Sequence, residues 1–124
     1  MSNAYNLEIY QGSTFEMSLI VKDSAGALLN LTGYSAAMQI RSSYSAATAA
    51  VSISSPSSGI TINTATSTIN VSISAATTAG ITIDRNNGKP PKGSFVYDLE
   101  ATDGSGKVSK LLFGEVTVIG EVTR

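Results

Sequence analysis

Three stretches of the chain alternate apolar and polar residues, and this period of two predicts β-strands with one buried and one solvent-facing side. The stretches are residues 15–21, 69–73 and 95–101. In the first stretch Phe15 and Met17 fall on one side of the strand, and Glu16 falls on the other. Strands with one apolar face are typical of an antiparallel sandwich or barrel.

Turn residues separate these strands from several shorter ones. Asp23–Gly26 and Asp103–Gly106 predict hairpin turns, because Asp can bond the backbone two residues on and Gly accepts a positive φ. A return strand over 27–31 would follow the first turn, and Gly114 predicts a bulge or bend in the last strand. We therefore expect an all-β fold, an antiparallel immunoglobulin-like β-sandwich of about seven to nine short strands, with a small barrel as the alternative.

Two segments depart from the strand pattern. Residues 42–50 are rich in Ser and Ala but have no apolar stripe, which favours an irregular connection over a helix. Ser74 can cap a helix, alanines follow it and Gly80 can end it, so one short helical turn is expected near residues 74–80. We expect residues 1–4 to be disordered or tag-like and residues 5–124 to form a single β-sandwich domain.

Charge and hydropathy argue against two classes of partner. The chain has 8 basic and 9 acidic residues, a net charge of −1 and no basic cluster, so we expect no nucleic-acid binding. Its apolar runs are far shorter than the ~20 residues that span a bilayer, and the N-terminus does not resemble a signal peptide. We expect neither membrane insertion nor secretion through a signal sequence.

The residues that most enzymes use are missing or poorly arranged. The chain contains no His and no Cys, which removes the common general base, the thiol nucleophile and the best metal ligands. Asp98 and Glu100 share one strand face, but that face is the solvent side, so we interpret them as solvated acids. Asp23 and Asp103 each offer a single carboxylate, too few for a calcium site. We predict that the protein is not an enzyme and has no cofactor, metal or small-molecule substrate.

Tyrosine is the one residue type that suggests recognition. Tyr5, Tyr10 and Tyr44 fall outside the predicted core and can anchor an interface or stack on a sugar. Tyr97 lies in a strand and occupies a position similar to a tyrosine corner, in which the hydroxyl bonds backbone nearby in sequence. A carbohydrate-binding or adhesin-type module therefore stays open as an alternative function.

Three blocks of sequence combine turn residues with strand patterns. The first block is Gln11-Gly12-Ser13-Thr14-Phe15 with Lys22-Asp23-Ser24-Ala25-Gly26, the second is residues 31–41, and the third is residues 93–100 with 112–118. Together they resemble small structural proteins of tailed-bacteriophage virions, and are similar to the N-terminal domain of phage baseplate upper proteins. The resemblance implies a β-sandwich that docks in a tail, baseplate or fibre assembly without catalysis. It implies no functional residues by itself.

The resemblance leads to an expected function, location and set of partners. We expect a non-enzymatic structural or assembly protein of a bacteriophage virion, most simply of the tail or baseplate, assembled in the host cytoplasm. A capsid decoration (cement) protein is the alternative. Its partners would be other virion proteins and a second copy of itself, reached through the edge strand 5–10 or the C-terminal strand. The polar loop 84–93 is the expected contact, through Arg85, Asn86, Asn87, Lys89 and Lys92.

Overall fold

The chain folds into two β-sheets with a short helix at one end. The computed structural model describes residues 3–56 and 58–123, which contain nine strands and one helix. In chain order the elements are β1 (Asn3–Ala4), β2 (Leu7–Tyr10), β3 (Phe15–Ile20), β4 (Ser35–Arg41), β5 (Val51–Ser54), β6 (Ile60–Asn63), β7 (Thr68–Ile73), α1 (Ala75–Ala79), β8 (Lys92–Thr102) and β9 (Val108–Ile119). The prediction of an all-β fold is confirmed.

The N-terminal segment takes part in the sheet where the structure describes it. Met1 and Ser2, for which disorder is predicted, lie outside the described residues, whereas Asn3–Ala4 form β1. Across the two described ranges, no helix has both the length and the apolar character needed to cross a membrane.

The larger sheet, sheet A, has the order β1-β9-β8-β4-β5, and β2 also pairs with β9. Its pairs are antiparallel except those of β1 and β2, which run parallel to β9. The expectation of a wholly antiparallel sandwich is wrong at this edge, because no tight turn joins these strands to β9 and fixes their direction. The C-terminal strand is also not a free edge, since β9 lies between β2 and β8.

The smaller sheet, sheet B, has the order β3-β7-β6 and is antiparallel. The predicted return strand 27–31 does not form; one bridge, Lys22 with Leu28, continues past the turn. β7 takes the place beside β3 along its whole length. The segment then turns away from sheet B because it must cross to β4 in sheet A. On the way it buries Leu31 in the core, where this residue is only 1% exposed.

The core lies between the sheets and is built from the positions that the period of two assigns to the interior. On β8 the side chains of Phe95, Tyr97, Leu99 and Ala101 are buried and those between them are half-buried. β7 contributes its own alternating set from the opposite sheet. Burying one large aliphatic side chain is worth about 1.5–3 kcal/mol, so the alternation determines which faces of the two sheets meet.

The bulge in the final strand lies three residues before its predicted position. The register between β8 and β9 shifts after Leu99, which leaves Leu111 as the extra residue, and both Leu111 and Leu112 are buried. Gly114 has a different role. A Cβ atom there would lie 2.6 Å from the carbonyl oxygen of Tyr5, so the glycine allows the N-terminal segment to approach β9 closely.

The predicted helical turn is confirmed as α1. The Ser74 hydroxyl accepts a hydrogen bond from the Thr77 backbone N–H at 3.2 Å, and Gly80 caps the other end. Thr78 is fully buried, and its hydroxyl donates to the Ser13 carbonyl at 2.8 Å. This bond holds α1 against the turn between β2 and β3.

The two Asp turns are confirmed and share one geometry. Oδ1 of Asp23 and Oδ1 of Asp103 each accept from the backbone N–H groups two and four residues on, at 2.9–3.0 Å. The Ser105 hydroxyl bonds Asp103 as well and is the main reason that the pKa of this carboxyl is lowered. Both carboxylates are therefore engaged in stabilising turns.

Tyr97 connects the core to the N-terminal edge of sheet A. Its ring is 3% exposed, and its hydroxyl donates to the Tyr5 carbonyl at 2.6 Å. The tyrosine-corner expectation is wrong, because the acceptor, in the connection between β1 and β2, is 92 positions away in sequence rather than a few residues upstream. Burial raises the pKa of Tyr97 from 10.0 to about 12.

Tyr97→Phe should lower the free energy of unfolding by about 1–3 kcal/mol near neutral pH, because the Tyr5 carbonyl loses its donor. Between pH 10 and about 12 the unfolded chain releases the Tyr97 proton while the folded chain keeps it, so this residue's stabilisation falls as pH rises. Urea unfolding of both proteins across this window should give a difference that shrinks with pH. A constant difference would contradict the assignment.

Candidate interaction surfaces

The loop between α1 and β8 carries four of the predicted partner residues and is internally ordered by hydrogen bonds. The prediction of a loop over 84–93 is wrong at its end, because Lys92, the fifth residue, and Gly93 begin β8 and pair with β9. The Asn86 N–H donates to Oδ1 of Asp84 at 3.0 Å, and the Asn87 N–H donates to the Asp84 carbonyl at 3.1 Å. The Asn87 side chain donates to the Lys92 carbonyl at 2.9 Å. Asn86, Lys89 and Lys92 are exposed. Lys89 of the loop and Lys92 at the start of β8 are therefore presented from a fixed backbone, and the role of this segment in partner contact stays a prediction.

Arg85 differs from the other loop residues because its guanidinium is held by the fold. Nη2 donates to Oε1 of Gln11 at 2.8 Å, and Nη1 donates to the Glu121 carbonyl at 3.1 Å. Gln11 is 4% exposed, and its amide nitrogen donates to the Ile81 carbonyl at 2.7 Å. Arg85 thus satisfies a nearly buried amide and fastens the loop to the chain after β9.

Gln11 itself could be found in the sequence, since it continues the alternation of Leu7 and Ile9 onto the buried side of the strand. A polar residue at an inward position requires partners. That these partners include Arg85 is not visible in the sequence, because 74 positions separate the two residues.

A second surface lies on the outer face of sheet A, beneath the connection between β4 and β5. A shallow cavity of about 170 Å³ is lined there by Gln39, Arg41, Tyr44, Val96, Tyr97, Asp98, Lys110 and Phe113. Arg41 donates to the Ala46 carbonyl at 2.9 Å and to Oε1 of Gln39 at 2.8 Å. These bonds anchor the connection that carries Tyr44, whose side chain is 78% exposed.

The two acids of β8 lie on this outer face, as the alternation predicts. Oδ2 of Asp98 is 3.4 Å from Nζ of Lys110, with both side chains partly exposed. Such a pair contributes little to stability, since solvent screens it. Glu100 lies across from the same lysine in the strand register. The arrangement is a solvated charge cluster beside an exposed tyrosine.

A second exposed tyrosine also lies next to an acid. The Tyr10 hydroxyl donates to Oε1 of Glu8 at 2.9 Å, and this bond is the main reason that the pKa of Tyr10 is raised. Tyr10 lies on the outer side of β2, at the edge of sheet A.

The outer face of sheet B has a shallow depression with both polar and apolar residues in its lining, and there Ser18 donates to Oδ1 of Asn70 at 2.6 Å. No group of three or more acidic side chains in residues 3–56 and 58–123 is placed to hold a metal ion.

Neither a scan against protein-family models nor a search of curated proteins gave a match to this chain.

Arg85 is hydrogen-bonded to the fold whereas Lys89 and Lys92 are exposed, so replacing them should affect stability differently. Arg85→Ala should lower the free energy of unfolding by about 1–3 kcal/mol, because it leaves the Gln11 amide oxygen without its donor. The paired variant Lys89→Ala/Lys92→Ala should change it by less than about 0.5 kcal/mol. Thermal and urea unfolding measure both. Equal stabilities for the two variants would show that the Arg85 bonds do not contribute.

Proposed function

We propose that this chain is a non-enzymatic structural subunit of a bacteriophage virion, assembled in the host cytoplasm and built into the tail or baseplate. It would act by shape-complementary contact with other virion proteins and with a second copy of itself. No catalytic step, cofactor, nucleic acid or membrane is part of this proposal.

The arrangement of the resembling blocks carries the proposal. The second block forms β4 and the turn before it, and the third forms most of β8 and β9. These blocks are far apart in sequence, yet β4, β8 and β9 are adjacent in sheet A. The first block forms the turns at both ends of β3. The resemblance therefore follows a continuous part of the fold rather than scattered turns.

We further propose that the fold is immunoglobulin-like. Sheet B has the order β3-β7-β6, which corresponds to strands B, E and D of that fold, and β4, β8 and β9 correspond to C, F and G. β5 would then be C′. The pairing of β2 with β9 gives the sandwich an N-terminal strand on the second sheet, and no disulfide is involved, since the chain has no Cys.

Quantitative mass spectrometry of purified particles tests the virion role directly. Particles of the phage that encodes this chain should contain it at a fixed ratio to the tail-tube protein, and the chain should stay with tails when heads and tails are separated. Recovery with heads would favour the decoration protein instead. Absence from purified particles, with abundant chain in the lysate, would contradict both.

The outer face of sheet A supports a second candidate, a carbohydrate-binding module. Tyr44 is exposed beside Asp98, and Gln39 and Arg41 supply donors within the same cavity. An aromatic face next to polar groups is suited to a sugar ring.

Glycan-array binding that Tyr44→Ala abolishes would support this candidate. Tyr10→Ala is the matched control, because Tyr10 is also exposed but lies outside the cavity. No binding above background by the unaltered chain, or binding that Tyr44→Ala leaves intact, would exclude this surface as a sugar site.

A further inference from the structure

Sheet B ends in an unpaired strand. β3 pairs with β7 on one side, and no other strand in residues 3–56 and 58–123 pairs with its second side. We call this second side the β3 edge. In the described chain β1 and β2 are the strands nearest in sequence that could cover it, but both pair with β9 in sheet A.

The hydrogen bonds around Val21 show which backbone groups face the β3 edge. The Val21 N–H donates to the Ser67 carbonyl at 2.8 Å, and the Val21 carbonyl accepts from the Leu29 N–H at 3.0 Å. Backbone groups alternate in direction along a strand, so every second residue from Val21 bonds inward. The residues between them point their N–H and C=O groups outward; they are Glu16, Ser18, Ile20 and Lys22.

The side chains of β3 are less covered than those of its neighbour. Phe15, Met17 and Leu19 are only half-buried, whereas Ile69, Val71 and Ile73 of β7 are at most 1% exposed. Ile20 is 57% exposed on the outer face. A groove of about 450 Å³ also runs between the end of β3 and sheet A, lined partly by Leu19, Ile20 and Leu111. An added strand would cover these apolar groups.

β3 carries little of the usual protection of an edge strand. Natural edges are protected by Pro, by bulges, by charged side chains or by a covering loop. β3 has no Pro and no bulge, and its pairing with β7 is regular over six residues; its one charge is Glu16, and Lys22 follows two residues beyond its end. Such an edge is suited to pairing with another strand.

We propose that the β3 edge is the interface of a two-fold symmetric homodimer, in which β3 of one copy pairs antiparallel with β3 of a second copy. The two copies of sheet B then form one continuous sheet with the order β6-β7-β3-β3-β7-β6. This interface would be the surface through which the chain self-associates in the proposed function. The inference follows from the β3 geometry alone, however, and does not depend on that function.

Charge complementarity selects the register. With the two-fold axis at Leu19, the outward residues of the copies pair with one another, and Glu16 lies directly opposite Lys22 of the second copy at both ends. Both side chains are exposed, and neither makes an ion pair within the described residues of its own chain. Directly opposed charges of opposite sign stabilise cross-strand pairs.

The same register also brings the apolar residues together. On the inner side Leu19 meets its own copy, and Met17 lies opposite Val21 of the second copy. On the outer side Ile20 lies opposite Ser18 and diagonal to its own copy, within reach of contact. Moving the axis to Ser18 would instead place Glu16 opposite Ile20 and Lys22 opposite Thr14, so neither charge would face one of opposite sign.

Charge reversal tests the interface and the register together. Sedimentation velocity of the purified chain over a range of concentrations should show a monomer–dimer equilibrium. Glu16→Lys or Lys22→Glu alone replaces two attractive pairs by two repulsive ones, so the dissociation constant should rise by about tenfold. The double variant Glu16→Lys/Lys22→Glu should restore the original value. Glu115→Lys, an exposed reversal on the outer face of sheet A and away from β3, should leave it unchanged.

Ser18→Pro provides a test that does not depend on charge. The Ser18 N–H points outward, so proline removes no backbone bond to β7, only the exposed side-chain bond from Ser18 to Asn70, and it blocks pairing across the edge. The variant should stay folded by circular dichroism and be monomeric.

Three results would each overturn the proposal. They are a chain that is monomeric at all concentrations, a dimer that Ser18→Pro leaves intact, and single reversals that the double variant does not rescue. No part of this test involves virions. The dimer can therefore be disproved while the proposed function stands, and the proposed function can be disproved while the dimer stands.

Discussion

The attachment of the N-terminal segment to β9 is the constraint on which the rest of the architecture depends. The Tyr97 hydroxyl bonds the Tyr5 carbonyl, the Asn6 side chain accepts from the Glu115 N–H at 3.0 Å, and Gly114 leaves room for both. These contacts commit β1 and β2 to sheet A. Because β1 and β2 pair with β9 and not with β3, sheet B has three strands among the described residues and β3 keeps an open side.

Local sequence signals predicted much of this fold. The period of two located β3, β7 and β8 and their buried faces, since burial of alternate residues leaves that pattern directly. The two Asp turns and the Ser74 cap were likewise predictable, because each depends on hydrogen bonds between residues at most four positions apart. Interactions of this range leave a signature in a single sequence.

Features that depend on distant residues were not predictable. The parallel pairing of β2 with β9 and the failure of 27–31 to form a strand each depend on a partner elsewhere in the chain, and the bulge at Leu111 depends on how β9 pairs with β8. Arg85 is the clearest case among the candidate site residues. Its sequence context is that of a free loop cation, but the nearly buried amide of Gln11 makes it part of the fold. For recognition by a partner, the lysines of that loop and the edge of β3 are the better candidates.

Amide hydrogen exchange measured residue by residue tests most directly whether the β3 edge is open. At low concentration we expect fast exchange for the outward amides of Glu16, Ser18, Ile20 and Lys22, and slow exchange for those of Met17, Leu19 and Val21. At high concentration the outward set alone should become protected. Uniform protection along β3 at low concentration, or outward amides indifferent to concentration, would contradict this expectation.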